Sequence, residues 1–190
     1  MRDVVEHCAT KGVEQLTLYA FSSDNWSRPA AEVRALLALF TSHFRSEAAA
    51  LARAGIRLTV IGRRARLPLA LRTAIRAAEA RTAHGRVMHL RVAIDYSSRA
   101  AIVRAHGAAL ADADGDASDG SPMLPPVDLL LRTGGERRMS DFLLWECAYA
   151  ELLFLDVLWP DITPMILDQA FADFAARDRR FGNVRQRASA

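Results

Sequence analysis

The chain has 190 residues, 51% of them hydrophobic and 25% charged, with a formal net charge of +3. This length and balance predict one globular domain with a sizeable core and exclude a disordered or low-complexity chain. Lys11 is the only lysine, so nearly all the positive charge is arginine, which favours discrete anion sites over a diffuse basic field.

No basic stripe interleaved with aromatics points to nucleic acid. No stretch approaches the ~18 apolar residues of a membrane span. Asp3, Glu6 and His7 interrupt any apolar run at the start, so no signal peptide is expected. Cys8 and Cys147 lack CxxC spacing and read as reduced core thiols. Together these features predict a cytoplasmic protein.

In chain order, residues 2–11 read as the tail of an amphipathic helix stopped by Gly12. Val13 to Phe21 is a strand, running into the polar cluster Ser22-Ser23-Asp24-Asn25-Trp26-Ser27-Arg28-Pro29. Pro29 opens a helix of about 25 residues, with Val33, Leu36, Leu37, Phe40, Phe44, Ala48 and Leu51 at helical spacing and Gly55 as its stop. That spacing suits core packing and the wall of an apolar cavity equally. Ile56 to Gly62 is the next strand. Arg63, Arg64 and Arg66 then form a basic run, read as a solvated turn. An alanine-rich helix spans Leu67 to Ala83, and a strand from Val87 to Tyr96 ends in Asp95-Tyr96-Ser97-Ser98-Arg99. Arg99 to Ala111 is helical. Asp112 to Pro126 is an acidic connection. Its Asp112, Asp114 and Asp116 fall short of a calcium loop, because Ala117 stands where glycine is needed and Met123 where the bidentate glutamate belongs.

Val127 to Leu131 reads as a strand buried on both faces. It ends in Arg132-Thr133-Gly134-Gly135-Glu136-Arg137-Arg138-Met139-Ser140, three arginines with two glycines that let backbone approach an anion. Phe142 to Ala150 reads as a helix start, with Ser140 or Asp141 as cap and free backbone donors for an anion. Glu151 begins another apolar run, Leu152 to Val157. A carboxylate beside phosphate-binding arginines holds a divalent cation or pairs with one of the arginines. The last helix runs from Pro164 to Arg177, and the tail after Asn183 is polar and loose. Strand and helix alternate throughout. The class is therefore α/β: a single domain over residues 1–183 with a mainly parallel central sheet flanked by helices, followed by a loose tail over 184–190. Strand C-terminal ends share one edge of such a sheet and bind ligands there. A polar rim beside an apolar pocket suits an amphiphile with a phosphate head and a hydrocarbon tail. Walker and Rossmann glycine loops are both missing, which argues against a nucleotide-binding module.

FSSDNWSRP, DLLLRTGGERRMSDFLLWECAYAE, DVLWPD and RDRRFG together resemble the cis-prenyltransferases, the undecaprenyl diphosphate synthase family, over residues 1–182. The resemblance implies a magnesium-dependent, homodimeric prenyltransferase that condenses isopentenyl diphosphate with farnesyl or geranyl diphosphate, making Z double bonds. It also implies a product grown in an apolar tunnel and peripheral membrane association through that lipid product. By the same resemblance Arg132, Arg138 and Ser140 hold isopentenyl diphosphate, with Met139 between them. Glu151 helps ligate Mg2+. Ser22, Ser23, Asp24, Trp26 and Arg28 match the substrate-contacting loop, and Asn25 the asparagine assigned to proton removal. An amide is a poor base, so Asn25 is expected to act with water, a diphosphate oxygen or a neighbouring side chain. Arg180 and Gly182 match a motif that reaches the partner subunit's site. Ala20 stands where small residues leave tunnel space, though plain strand packing explains it equally well. The chain departs from the family pattern at Ser97 and Ser98, where glycines are usual, at Asp141 for asparagine and at Glu146 for glutamine. The family's first strand and its Met-Asp-Gly-Asn-Gly-Arg-Trp-Ala loop have no counterpart here. The expectation is a chain entered partway through the following helix, without that strand and its metal-binding aspartate. The alternative expectation is a non-catalytic or inactive truncated subunit of a cis-prenyltransferase complex.

Overall fold

The computed structural model describes residues 2–113 and 124–178. The connection carrying Asp114, Asp116, Ala117 and Met123 lies outside the described residues, as do Arg180 and Gly182. The chain gathers into two compact units, Met1–Pro122 with Ser140–Leu143, and Met123–Met139 with Leu144–Ala190.

In the first unit, α1 (Arg2–Thr10) buries Val4, Val5 and Cys8. It stops where Gly12 takes φ 77°, a left-handed conformation that glycine adopts without a Cβ penalty. β1 (Gln15–Ser22) follows, then a 3-10 turn over Ser23–Ser27 and the long α2 (Ala30–Arg53). Val33, Leu37, Phe44 and Ala48 form the buried stripe of α2; each large apolar side chain so buried contributes about 1.5–3 kcal/mol. Leu36, Phe40 and Leu51 are half-buried. β2 (Ile56–Ile61), α3 (Leu69–Thr82), β3 (Met88–Tyr96) and α4 (Ser98–Ala113) complete the unit. The second unit holds β4 (Leu129–Arg132), β5 (Glu151–Phe154), a 3-10 turn over Trp159–Asp161 and α5 (Pro164–Ala175).

Among the described residues every strand pairing is parallel, as the alternation of strand and helix requires. The first unit carries a three-stranded sheet in the order β1-β3-β2, and the second pairs β4 with β5. β3 lies at the centre, and Leu90, Ala93 and Ile94 are almost wholly buried. The outer edge of β2 is closed by side chains of α3. Leu58 N donates to Thr82 Oγ1 at 3.1 Å and Val60 N donates to Glu79 Oε1 at 2.8 Å. An edge strand whose donors are satisfied this way offers no template to another chain.

Phe142 to Ala150 is a succession of turns and not the expected helix. Ser140, Asp141 and Leu143 all take left-handed φ, 50°, 60° and 46°. Three such residues within four break the run of right-handed dihedrals that a first helical turn needs. Among the described residues no helix is long and apolar enough to cross a membrane.

Candidate active site

The C-terminal edge of the three-stranded sheet gathers the ends of β1, β2 and β3. At β1 the register skips at Ala20: Tyr19 pairs with Ala93 and Phe21 with Ile94. This one-residue bulge turns Phe21 inward, to 1% exposure, and brings Ser22 to the rim. Ala20 itself is half-buried.

Ser22 then starts the 3-10 turn with a reciprocal capping box. Asn25 N donates to Ser22 Oγ at 3.2 Å, and Ser22 N donates to Asn25 Oδ1 at 3.0 Å. Asn25 Oδ1 is thereby engaged, and the Nδ2 group keeps its donors. Trp26 packs edge-on against Phe21, with ring centroids 5.4 Å apart. Ser27 Oγ donates to Asp24 O at 2.7 Å, and Arg28 pairs with Glu32 one turn on. Ser23 is half-buried and Asp24 exposed.

At the end of β3, Asp95 takes φ 51° and its side chain is wholly buried. Arg66, on the turn after β2, donates Nε to Asp95 Oδ2 at 3.0 Å and Nη2 to Asp95 Oδ1 at 2.5 Å. Asp95 raises the Arg66 guanidinium above its already high ordinary value, through these hydrogen bonds before the plain charge attraction. Arg63 adds a longer contact to Asp95 at 3.4 Å, and the Arg66 guanidinium carbon lies 4.9 Å from the Trp26 ring centroid. Arg64 binds Glu79 and the Val60 carbonyl. The basic run is thus only partly a solvated turn. Each of its arginines has a fixed acceptor, because Asp95 and Glu79 bring carboxylates that are distant in sequence to the same turn.

Residues 140–143 sit over the ends of β1 and β3. Tyr19 Oη donates to Ser140 O at 3.2 Å, and its ring stacks on Phe142 with centroids 4.5 Å apart. Asp141 caps α4 instead of a helix of its own. Ser98 N donates to Asp141 O at 3.0 Å and Arg99 N to Asp141 Oδ1 at 2.9 Å. Those α4 amides are therefore satisfied by protein and not left for an anion.

The second unit holds the arginine-rich turn and Glu151. Gly134 and Gly135 take φ 85° and 72°, and their N–H groups donate to Val157 O and Leu155 O. This ties the turn after β4 to the segment after β5. Arg138 pairs with Glu136. Arg132 is half-buried, and among the described residues it forms no ion pair. Met139, next to Arg138 in sequence, is half-buried. The carboxylate of Glu151 is engaged: Arg177 Nη1 donates to Glu151 Oε2 at 2.7 Å. No group of three His, Cys, Asp or Glu side chains able to hold a metal gathers among the described residues. One carboxylate already facing a guanidinium does not fit a divalent-cation site by itself.

The family model described as putative undecaprenyl diphosphate synthase matches residues 1–182. This chain belongs to that family. Isoprenyl transferase 1 of Bradyrhizobium diazoefficiens is 49% identical over 190 residues, covering 97% of this chain and 77% of that protein. A ditrans,polycis-undecaprenyl-diphosphate synthase ((2E,6E)-farnesyl-diphosphate specific) of Pseudomonas aeruginosa is 45% identical over 203 residues, covering 100% of this chain and 81% of the other. The crystal structure of lavandulyl diphosphate synthase from Lavandula x intermedia in complex with dimethylallyl diphosphate superposes with a TM-score of 0.88. It is 29% identical and covers 96% of this chain and 84% of that one. The α/β architecture is therefore that of the undecaprenyl diphosphate synthase family; one of these bacterial relatives is named an isoprenyl transferase and the other an undecaprenyl-diphosphate synthase.

Sequence reasoning reached the Ser22–Arg28 turn and the polar end of β3 but missed their connection through Arg66. The signal was present in outline: Asp95 is the only acid in the strand Met88–Tyr96, and a carboxylate near the end of a buried strand needs a cationic partner.

Proposed function

We propose that this chain joins isopentenyl diphosphate to an allylic diphosphate, farnesyl or geranyl diphosphate, to give a Z-polyprenyl diphosphate in a magnesium-dependent reaction. The Ser22–Arg28 turn carries this reading. It sits at a strand's C-terminal end, where open α/β sheets bind ligands, and its capping box fixes the Asn25 amide through Oδ1 while leaving the Nδ2 donors unengaged by it. The names of the relatives support the substrate class. One bacterial relative is named for farnesyl diphosphate, and the lavender enzyme was solved with dimethylallyl diphosphate.

In the reaction a carbon–carbon bond forms between C4 of the isopentenyl unit and C1 of the allylic unit. The allylic carbon–oxygen bond breaks and diphosphate leaves, while a proton departs from C2 of the isopentenyl unit. Asn25 Oδ1 is held by Ser22 N, so the amide works as a donor that orients a diphosphate oxygen or a water, and that oxygen takes the proton. In this reading Ser22, Ser23, Asp24, Trp26 and Arg28 contact substrate, and Arg132, Arg138, Met139 and Ser140 hold isopentenyl diphosphate. Guanidinium forks match diphosphate oxygens two at a time. Arg180 and Gly182 complete the site of a second copy in a cytoplasmic homodimer, and the product draws the protein to the membrane surface. Glu151 is the magnesium ligand in this reading, although its carboxylate faces Arg177 and the described residues do not by themselves make up a cation site.

The test is incorporation of labelled isopentenyl diphosphate into farnesyl or geranyl diphosphate, with Mg2+ and with chelator. Z-polyprenyl product with Mg2+ alone is expected. Incorporation that appears only after a second protein is added replaces this reading with that of a non-catalytic subunit, and no incorporation under either condition overturns it.

A further inference from the structure

We propose that Arg66 is a positioning residue for prenyl transfer, a rigid link between the buried Asp95 and the Asn25–Trp26 turn; the inference rests on the reaction proposed above. The Asp95 side chain has 0% exposure at the end of the central strand, whereas the Arg66 side chain is 44% exposed. A carboxylate out of water needs paired donors, and two-point donation from Nε and Nη2 fixes the guanidinium plane as well as its position. The arginine therefore presents a set face to Trp26, with its central carbon 4.9 Å from the ring centroid. Phe21 meets the same indole edge-on, at an interplanar angle of 84°. Held by a cation on its face and a ring at its side, the indole has little freedom to rotate.

Trp26 is the residue after Asn25 within a 3-10 turn of five residues. A displacement of the indole that carries the Trp26 Cα with it moves the adjoining peptide and therefore Asn25. The capping box fixes Asn25 from the Ser22 side, and the Arg66–Trp26 cation–π contact fixes the turn from the other. Lysine cannot substitute for this function. Its ammonium is a point charge that can meet Asp95 but cannot bridge both oxygens while also holding charge over an aromatic ring.

The experiment uses the full chain with Trp145 and Trp159 replaced by phenylalanine, so that Trp26 gives the only indole signal. Arg66→Met and Arg66→Lys are compared in that background by steady-state kinetics and by the indole 1H–15N resonance. In Arg66→Met, kcat is expected to fall about 10- to 100-fold, the range that a misplacement of ~1 Å produces. KM for both diphosphates should change little, and the Trp26 resonance should shift and broaden. Arg66→Lys is expected to recover the thermal midpoint but not kcat, which a merely structural ion pair would not allow. A kcat in Arg66→Met equal to that of an active parent overturns the inference, as does full kinetic rescue by lysine. If the parent shows no turnover, the reaction assignment has failed instead. The resonance then decides the link by itself: an unchanged Trp26 signal in both variants refutes it. If Arg66→Met does not fold, Arg66→Lys supplies the same kinetic and spectroscopic comparison.

Discussion

Replacing Gly62 with alanine tests the idea that the rim is built by close approach of strand ends. Gly62 follows β2 with φ 112°, and a Cβ there would lie 2.1 Å from Ile94 O and 3.0 Å from Ile94 C. Real Cβ atoms essentially never approach within 3.0 Å, so β2 and β3 must part at their ends. Parting them breaks the 3.1 Å bond from Arg63 N to Asp95 O and disturbs the Arg66–Asp95 fork. Left-handed backbone costs about 1–2 kcal/mol for a non-glycine residue. Overpacking adds about 1–3 kcal/mol and the lost hydrogen bond about 1 kcal/mol. The sum is about 3–6 kcal/mol, set by the clash more than by the dihedral. Gly12 supplies the control: its φ is 77° and a Cβ there meets nothing within 4 Å, so alanine costs about 1–2 kcal/mol. At about 2–4 °C per kcal/mol for a chain of this length, Gly62→Ala lowers the melting temperature by roughly 6–24 °C and Gly12→Ala by roughly 2–8 °C, so at one common slope the first shift is about three times the second. Scanning calorimetry on both variants reads the difference. Equal shifts, or a larger one in Gly12→Ala, refute the reasoning.

Asn25→Asp keeps an oxygen for Ser22 N and exchanges the amide donor for a carboxylate oxygen. Its melting temperature should match the parent's while turnover falls about 100- to 1,000-fold, the usual scale for losing one preorganised donor; retained turnover in the incorporation assay would count against that role. His89, held at 2.9 Å from Thr59 Oγ1, has its pKa pushed down to about 4 by burial and then by Arg91 and Arg57. Its folded value lies below its unfolded 6.5, so the unfolded chain takes up the proton first. Its contribution is complete above pH 6.5 and is lost as pH falls towards 4. With solvent screening this amounts to about 1–2 kcal/mol, and denaturant melts of His89→Gln across that window should show a weaker pH dependence. Burial raises the thiols of Cys8 and Cys147 to about 11. Both should resist an aromatic disulfide reagent at pH 8 in the folded chain and react at once in guanidinium chloride; rapid labelling of the native protein would show these sites to be open.

Most element boundaries were legible because their signals are local. Gly12 and Gly55 stop helices whatever packs on them, and both take left-handed φ at the predicted places. The stripe Val33, Leu37, Phe44 and Ala48 was visible as spacing, and packing separated it from half-buried Leu36, Phe40 and Leu51. Phe142 to Ala150 misled because its apolar content suits a helix, while the left-handed residues that break it include a leucine. Nothing in composition marks Leu143 for φ 46°. Asp141 carries a capping residue's chemistry, but it caps α4 across a gap of 42 residues. Arg63, Arg64 and Arg66 looked solvated because their carboxylate partners lie 15 to 32 residues away.

The sequence alone determined the alternation of strand and helix, and hence the parallel pairing, because periodicity and breakers act over a few residues. It also carried the family, since the long motifs around Asn25 and Arg132 keep their order. Tertiary structure alone decided which charges meet: Asp95 with Arg66, Arg66 with Trp26, and Arg177 with Glu151. Pairing between distant side chains depends on strand register, on a one-residue bulge at Ala20 and on the backbone contact at Gly62. These are properties of neighbouring segments in space, and no local pattern in the chain encodes them.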